Sequence, residues 1–440
     1  MLGVVPACER LIEVGPPKTQ LTPDKVYADE ATATSAVIGI YAFLNQYGSN
    51  YFIPYLNILP EISADNGDHV TNGFDAYRNN VLSSGDTYIS SYFWANPYQA
   101  IYQCNAVIEA MNNSPALSTA TRNQLTGETL FLRAFLYFNL VNLFGDVPLV
   151  LSTDVTENTM APRKPVADVY SQMIRDLQQA AGLLTATYAG GEKVRANLAA
   201  VKALLARVYL YREDWAAAER YASDIIHSKA FTLETDLAAV FGKNSKEAIL
   251  QFWTQNGYTQ TGAFSVPTAS VVGYCLPDDL YNTFPAGDRR KDAWTINASY
   301  NGQLFHCAYK YRQRMQVTTG AEYTMILRLA EVYLIRAEAL THLGRPEDAV
   351  DDINEIRKRA GLKELDKSLP AAYCLLAIEK ERRLELFWES AHRWFDLKRT
   401  GRAMPVLSAL KPSLRDNGLL YPIPETQRRI NPYLTQNNGY

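Results

Sequence analysis

The run ANLAAVKALLARVYLYREDWAAAERYASDIIHS, residues 196–228, governs how the rest of the chain reads. Apolar residues recur at threes and fours on both sides of a polar break at Glu213 and Asp214. That spacing predicts two amphipathic helices in sequence, with Asp214 placed to cap the second. A matching pair lies at 323–360. YTMILRLAEVYLIRAEALTHLG ends in Gly344, a residue suited to a C-cap, and PEDAVDDINEIRKRA opens with Pro346 and acids in its first turn. The two pairs share a register. Ala206 and Ala337 fall near the end of the first helix, Ala218 and Ala349 early in the second, and Ile225 and Ile356 further on. Small residues at a crossing with large ones behind them mark tetratricopeptide-like hairpins. One such hairpin cannot bury its own apolar face, so neighbours must stack. Unrelated amphipathic hairpins in a generic helical protein are the alternative.

Working outward, helices are expected over 31–47, 91–112, 121–144, 165–185 and 370–400. Ala33, Val37, Ile40, Tyr41 and Leu44 form the stripe of the first; Val166, Val169, Tyr170, Met173, Ile174, Leu177, Ala181 and Leu184 form that of the fourth. Two stretches break the pattern. Residues 60–90 are dominated by Asn, Asp, Gly and Ser and read as loop. Residues 231–322 are rich in Gly, Thr, Asn and aromatics, with a short possible strand AILQFW at 248–253. A span that long is functional or conceals unread elements. The fold expected is therefore mainly α: a tetratricopeptide-like helical-repeat scaffold (31–59, 91–230 and 323–400) carrying long irregular ligand-side segments (60–90 and 231–322). Residues 1–30 read as a leader and 31–440 as one domain.

Composition narrows the function. The 440 residues are 47% apolar and 20% charged, with a formal net charge of −3. No basic footprint for nucleic acid is present, and no apolar run approaches the roughly 20 residues that span a bilayer. The 28 Tyr, 16 Phe and 6 Trp stand out. Tyrosine offers a flat apolar face with a polar tip, suited to polar ring-shaped ligands, although such rings also fill cores. The five cysteines, Cys8, Cys104, Cys275, Cys307 and Cys374, make no CxxC pair. Cys275 and Cys307 could pair in an oxidising compartment, but spacing alone does not decide that.

Catalytic signatures are missing: there is no HExxH, GxSxG, Walker loop or GxGxxG. His69, His227, His306, His342 and His392 are scattered without metal-ligand spacing. Glu381, Glu385 and Glu389 share a helix face, but Lys380, Arg382 and Arg383 alternate with them. Interleaved signs point to a salt-bridged helix rather than a paired-acid catalytic site. The loop acids Asp65, Asp68 and Asp75, with Asn66, Asn72, Tyr77 and Arg78, could bracket vicinal hydroxyls, or form a solvated polar loop. DNGDHVTNG lacks the spacing and closing Glu of an EF-hand, so a structural calcium has no support. No cofactor is expected. A stiff helical frame displaying aromatic and polar loops suits a sugar ligand, with rings stacking and Asp, Asn and Arg taking the hydroxyls.

Several segments together resemble the SusD/RagB family. They are WANPYQAIYQCNAVIE (94–109), ETLFLRAFLYFNLVNLFGDVPLV (128–150), ILRLAEVYLIRAEAL (326–340), ERRLELFWESAHRWFDLKRTGR (381–402) and YPIPETQRRINP (421–432), with a fitting leader EVGPPKTQLT. They run in order along essentially the whole chain. The resemblance implies a non-catalytic, glycan-binding lipoprotein on the outer face of the outer membrane. It would bind an oligosaccharide or polysaccharide and pass it to a SusC-like TonB-dependent transporter. It also implies a lipidated cysteine. Cys8, after Val5-Pro6-Ala7, fits loosely, and residues 9–30 would be a tether. The family blocks account for the scaffold; Arg133 and Asp146 are expected to tie helices together. Glycan contacts have no fixed motif, so Asp65, Asn66, Asp68, Tyr77, Arg78, Tyr274, Trp294 and Tyr309 are candidates from local chemistry, with Trp94 expected in the core. A tetratricopeptide-type protein adaptor is the alternative function.

Overall fold

The computed structural model describes residues 23–45, 50–113 and 116–440. Cys8 and most of the expected leader lie outside the described residues. The described helices of eight residues or more are α1 (Glu30–Asn45), α2 (Asn96–Asn113), α3 (Thr119–Phe144), α4 (Val166–Leu183), α5 (Leu198–Tyr211), α6 (Trp215–Ser228), α7 (Leu329–His342), α8 (Pro346–Arg359), α9 (Ala371–Leu386) and α10 (His392–Arg399). The fold is mainly helical, and its two hairpins, α5–α6 and α7–α8, stack through α6 on α7. Ala206, Ala218, Ala337, Ala349, Ile225 and Ile356 are all buried, as their register requires. Asp214 accepts from the Ala217 amide at 3.0 Å, and Gly344 takes φ +77° just beyond α7.

Helix α3 runs through the centre. From Leu125 to Val141 every side chain is buried, so no apolar stripe can be told from a polar one. Ser118 accepts from the Thr121 amide at its start, and Gly145, at φ +74°, ends it. Arg133 spans to α4 through paired bonds to Asp176 (2.8 and 2.7 Å) and also donates to Asn105 on α2. Asp146 accepts from the Val166 amide at the start of α4. Both residues tie helices together. Gly127 marks where α3 comes closest to the end of α4: a Cβ there would sit 2.6 Å from Leu184 Cγ. Gly127→Ala should therefore cost about 1–3 kcal/mol despite the better helix propensity of Ala. A lowered urea midpoint at unchanged slope is the expected reading.

The region between the hairpins is more ordered than the sequence indicates. The described strands are β1 (Asp68–His69), β2 (Val147–Pro148), β3 (Arg163–Lys164), β4 (Ala248–Phe252), β5 (Tyr274–Cys275), β6 (Thr295–Tyr300), β7 (Gln303–Ala308) and β8 (Thr324–Arg328). They pair antiparallel as β1–β5, β2–β3, β4–β8 and β6–β7. The expected strand at 248–253 is β4. The β6–β7 hairpin turns on Asn301 and Gly302, at φ +50° and +78°. Residues 60–90 are solvated only in part: 59–67 are buried, most of 68–90 is half-buried or exposed, and a π-helical turn begins at Ile89.

The three acids expected on one helix face divide: Glu381 and Glu385 lie on α9, which ends at Leu386, and Glu389 lies in the turn beyond it, all three buried and ion-paired. Glu385 is fully buried and receives Arg290, Arg328 and Arg359. Glu389 takes Lys310 and Arg328 (2.5 and 2.7 Å), and Glu381 takes Arg290 and Arg357 (2.8 and 2.7 Å). The partners come from distant segments rather than from the neighbouring Arg382 and Arg383. Arg382 pairs with Asp396, while Arg383 reaches Asp65.

Candidate functional site

Two segments share the pattern Tyr-x-x-x-Tyr: YFIPY at 51–55 and YISSY at 88–92. In a helix this spacing puts both rings on one face. The helical turn Phe52–Leu56 buries Phe52, Ile53 and Leu56 and leaves Tyr51 and Tyr55 half-buried. The π-helical turn Ile89–Ala95 buries Ile89, Phe93 and Trp94 and leaves Tyr88 and Tyr92 half-buried. The extra residue per turn of a π-helix rotates side chains relative to an α-helix, a distortion often kept where it serves a site. The short helix Gln260–Ser265, capped by the Thr259 hydroxyl, adds Phe264.

These five rings form one platform. Tyr55 sits at its centre, 4.8 Å from Tyr92, 5.0 Å from Tyr88 and 5.5 Å from Phe264, the last in a stacked arrangement. Tyr51 lies 5.7 Å from Phe264 and 6.0 Å from both Tyr55 and Tyr92. Burial first, then the adjoining Tyr88 and Tyr92, hold the Tyr55 phenol well above its ordinary range. The five side chains are all aromatic, apolar on their faces, with tyrosine hydroxyls at their edges.

A second layer supports it. Phe74 packs 5.5 Å from Tyr88 and 5.3 Å from Tyr274, and Tyr274 is nearly buried against His69 (4.8 Å) and Trp388 (6.3 Å). His69 Nδ1 lies 3.0 Å from the Thr71 hydroxyl, and burial lowers its pKa, favouring the neutral ring. Arg78 is clamped by Asp68 (2.6 Å), Asp75 and the His69 carbonyl (2.7 Å). Asp68 and Arg78 are half-exposed, so this edge of the support layer offers ionic groups.

The residues singled out from sequence divide. Tyr274, Asp68 and Arg78 belong to the support layer and rim, and Tyr77 lies beneath, packed on Phe74 and donating to Asp86 at 3.0 Å. Asp65 and Asn66 are corrections: both are buried. Asp65 takes paired bonds from Arg393 (2.7 and 2.8 Å), and Asn66 accepts from Arg383 and, through its carbonyl, from the Trp388 indole. These bonds lock the segment to the scaffold and leave both side chains out of a ligand's reach. Trp294 is a second correction. It is fully buried, donates to the Leu237 carbonyl at 2.9 Å and packs under the Lys310 ammonium at 4.8 Å, so no sugar can reach its face. Tyr309 is half-buried beneath the Arg312 guanidinium, and no described ring contact joins it to the platform. Trp94 lies in the core, as expected. The platform tyrosines were readable only through their repeated spacing. Phe264 was one of many aromatics in its segment.

Behind Asn66 lies Glu61, fully buried, with both carboxyl oxygens outside hydrogen-bond geometry. Burial raises its pKa to about 8, tempered by the nearby Trp388 amide, Asn66 and Lys310. The folded chain holds this proton more tightly than the unfolded chain, whose carboxyl titrates near 4.5. Stability from this group is complete below that value and is lost as pH rises towards 8. Glu61→Gln should leave the melting temperature unchanged at pH 4 and add about 1–3 kcal/mol at pH 8.

Away from the platform, a cavity of about 440 Å³ opens among the hairpins, lined by Leu210, Trp215, Leu376, Arg382 and Leu397 among others. Among the described residues, no group of three His, Cys, Asp or Glu side chains could hold a metal ion. None of their helices is long and apolar enough to cross a membrane.

The comparisons with known proteins agree with this architecture. A family model described as starch-binding, associating with the outer membrane, matches residues 16–210, and the SusD family model matches residues 249–440. Two SusD-like proteins of Formosa agariphila are similar over nearly their whole length. One is 24% identical over 99% of this chain and 97% of its own. The other is 28% identical over 96% and 94%. Among solved structures, a SusD superfamily protein from Bacteroides vulgatus superposes with a TM-score of 0.82 at 21% identity, covering 94% of this chain and all of its own. A laminarin-binding SusD-like protein superposes at 0.79 with 23% identity, covering 93% and 99%.

Proposed function

Because the chain belongs to the SusD family, we propose that it binds an oligosaccharide or polysaccharide on the platform of Tyr51, Tyr55, Tyr88, Tyr92 and Phe264 and does no chemistry on it. The observation that carries this reading is the platform: five contiguous, half-exposed aromatic rings with tyrosine hydroxyls at their edges. The apolar faces of pyranose rings stack on such surfaces, and hydroxyl donors and acceptors at the rim fix orientation. Family membership and the laminarin-binding neighbour support a glucan-type or related polysaccharide ligand. The chain would sit on the outer face of the outer membrane, anchored through lipid on Cys8. From there it would hand its ligand to a SusC-like TonB-dependent transporter.

Acid chemistry at Glu385 and Glu389 has little support. The Glu385 carboxyl is held well below the usual range by Arg359, Arg328 and Arg290 despite its burial, and Glu389 is lowered by Arg328 and Lys310. A glycosidase acid needs the opposite shift. The test is an oligosaccharide array followed by incubation with each bound sugar. Saturable binding with no new reducing ends is expected. Release of reducing ends would overturn the non-catalytic reading. Binding of peptides but of no sugar across a broad panel would favour the adaptor function and its hairpin cavity.

A further inference from the structure

Cys275 and Cys307 come from two different sheets yet face each other across a strand pairing. Leu276 bridges His306 antiparallel, its amide donating to the His306 carbonyl at 2.6 Å. One step along each chain, in opposite directions, brings residues 275 and 307 into direct opposition. Opposed residues of an antiparallel pair point to the same face, with Cα atoms about 4.5–5.5 Å apart. A disulfide takes Cα separations of about 4.4–6.8 Å, so this register meets its main geometric demand. The two side chains also share one small cluster, with Val272, that is separate from the main core. Both are buried, and each is a free thiol in the structure.

Each cysteine also belongs to a strand pair of its own. Cys275 pairs with Asp68 in β1–β5, and Cys307 with Ile296 in β6–β7. A bond between them would join the strand carrying Tyr274, directly under the platform, to the hairpin carrying His306. The single bridge at Leu276 and His306 is otherwise the only described strand pairing between the two sheets.

We propose that Cys275 and Cys307 form a cross-strand disulfide that fastens the β6–β7 hairpin to the sheet beneath the aromatic platform. The oxidant is another disulfide, a small-molecule or protein one. One cysteine thiolate attacks it, giving a mixed disulfide and releasing one thiol. The second thiolate then displaces the other, so two protein thiols lose two electrons and two protons while the oxidant becomes two thiols. Burial holds both folded thiols above their ordinary range, Cys307 at about 11, so exchange belongs to folding or to transient opening of the hairpin. The surface placement proposed above matters only for the supply of oxidant in the cell; the test below does not depend on it.

The full chain is unfolded, refolded in a buffer of reduced and oxidised glutathione, denatured again with excess alkylating agent and digested without reductant. The expected result is one linked species holding the Cys275 and Cys307 peptides, with Cys104 and Cys374 alkylated. Full alkylation of both residues, or linkage of either to Cys8, Cys104 or Cys374, would overturn the proposal. The oxidised native chain should also lose about 2–6 °C of melting temperature on adding dithiothreitol, and Cys275→Ser should lose none. Equal sensitivity of the two to dithiothreitol would count against the bond. If Cys275→Ser does not fold, the peptide linkage in the native chain decides the matter alone.

Discussion

Glu385→Ala should destabilise the chain by about 3–5 kcal/mol, a large share of the roughly 5–15 kcal/mol that holds a protein of ordinary stability folded. Glu385 is fully buried between Arg290, Arg328 and Arg359, with Arg328 to Glu385 at 2.6 Å and Arg290 to Glu385 at 3.2 Å. Those arginines come from the short helix Arg289–Trp294, from β8 and from the end of α8. One carboxylate therefore joins the irregular middle segment to the hairpin stack. Its removal takes one carboxylate partner from each of three buried guanidinium groups and leaves the interior with one uncompensated positive charge, which costs more than the pair contributes. Glu247 and Glu389 remain to share Arg328 and Arg359, which keeps the loss from being larger. Guanidinium chloride unfolding gives the number. Asp351→Ala, which breaks an exposed pair with Lys367, should change stability by less than about 0.5 kcal/mol and serves as the control. The sign with pH follows from the same site. The folded chain holds the carboxyls of Glu385 and Glu389 below the 4.5 of the unfolded chain, so stability from these groups is present above pH 4.5 and is lost as pH falls below it.

Tyr55→Ala combined with Tyr92→Ala should weaken oligosaccharide binding by about 100-fold or more. Stacking of a flat ligand on an aromatic side chain is worth about 1–3 kcal/mol per ring, taking nucleic-acid bases as the analogue. Tyr55 touches every other ring of the platform, so its loss also loosens Tyr88, Tyr92 and Phe264. The two effects are coupled, and the double variant should fall short of the product of the singles. Because both side chains are half-buried at the surface, the melting temperature should drop only modestly, separating lost binding from lost folding. Trp294→Ala provides the contrast: it should unfold or strongly destabilise the chain, since its ring is fully enclosed. Calorimetric titration of the folded variants measures the first effect.

The scaffold was legible in the sequence because its information is local. Helical spacing, the Asp214 cap, Gly344 and the matched alanines each follow from a few neighbouring residues. The family blocks fixed the rest of the helical order. The ionic hub was not legible. Glu381, Glu385 and Glu389 alternate with Lys380, Arg382 and Arg383 in the chain, and only the tertiary fold brings Arg290, Arg328 and Arg359 to them instead. The site was legible in kind more than in place. Aromatic excess pointed to ring stacking, but an aromatic in sequence is equally core filler, and Trp294 proved to be that. Asp65 and Asn66 sit in a polar run that reads as solvated, yet Arg393, Arg383 and Trp388, more than three hundred residues on, claim their polar atoms. The platform itself had a local signal in its two Tyr-x-x-x-Tyr repeats, one of them on a π-helical turn that no residue pattern announces.

A crystal structure of the chain with an oligosaccharide selected from the array shows directly whether the aromatic platform holds the sugar. Sugar rings should lie flat within about 4 Å of Tyr55, Tyr92 or Phe264, with hydroxyls directed towards the edge that bears Asp68 and Arg78. A sugar seated in the cavity between the hairpins, or bound around Tyr309 with the tyrosine platform bare, would contradict that placement.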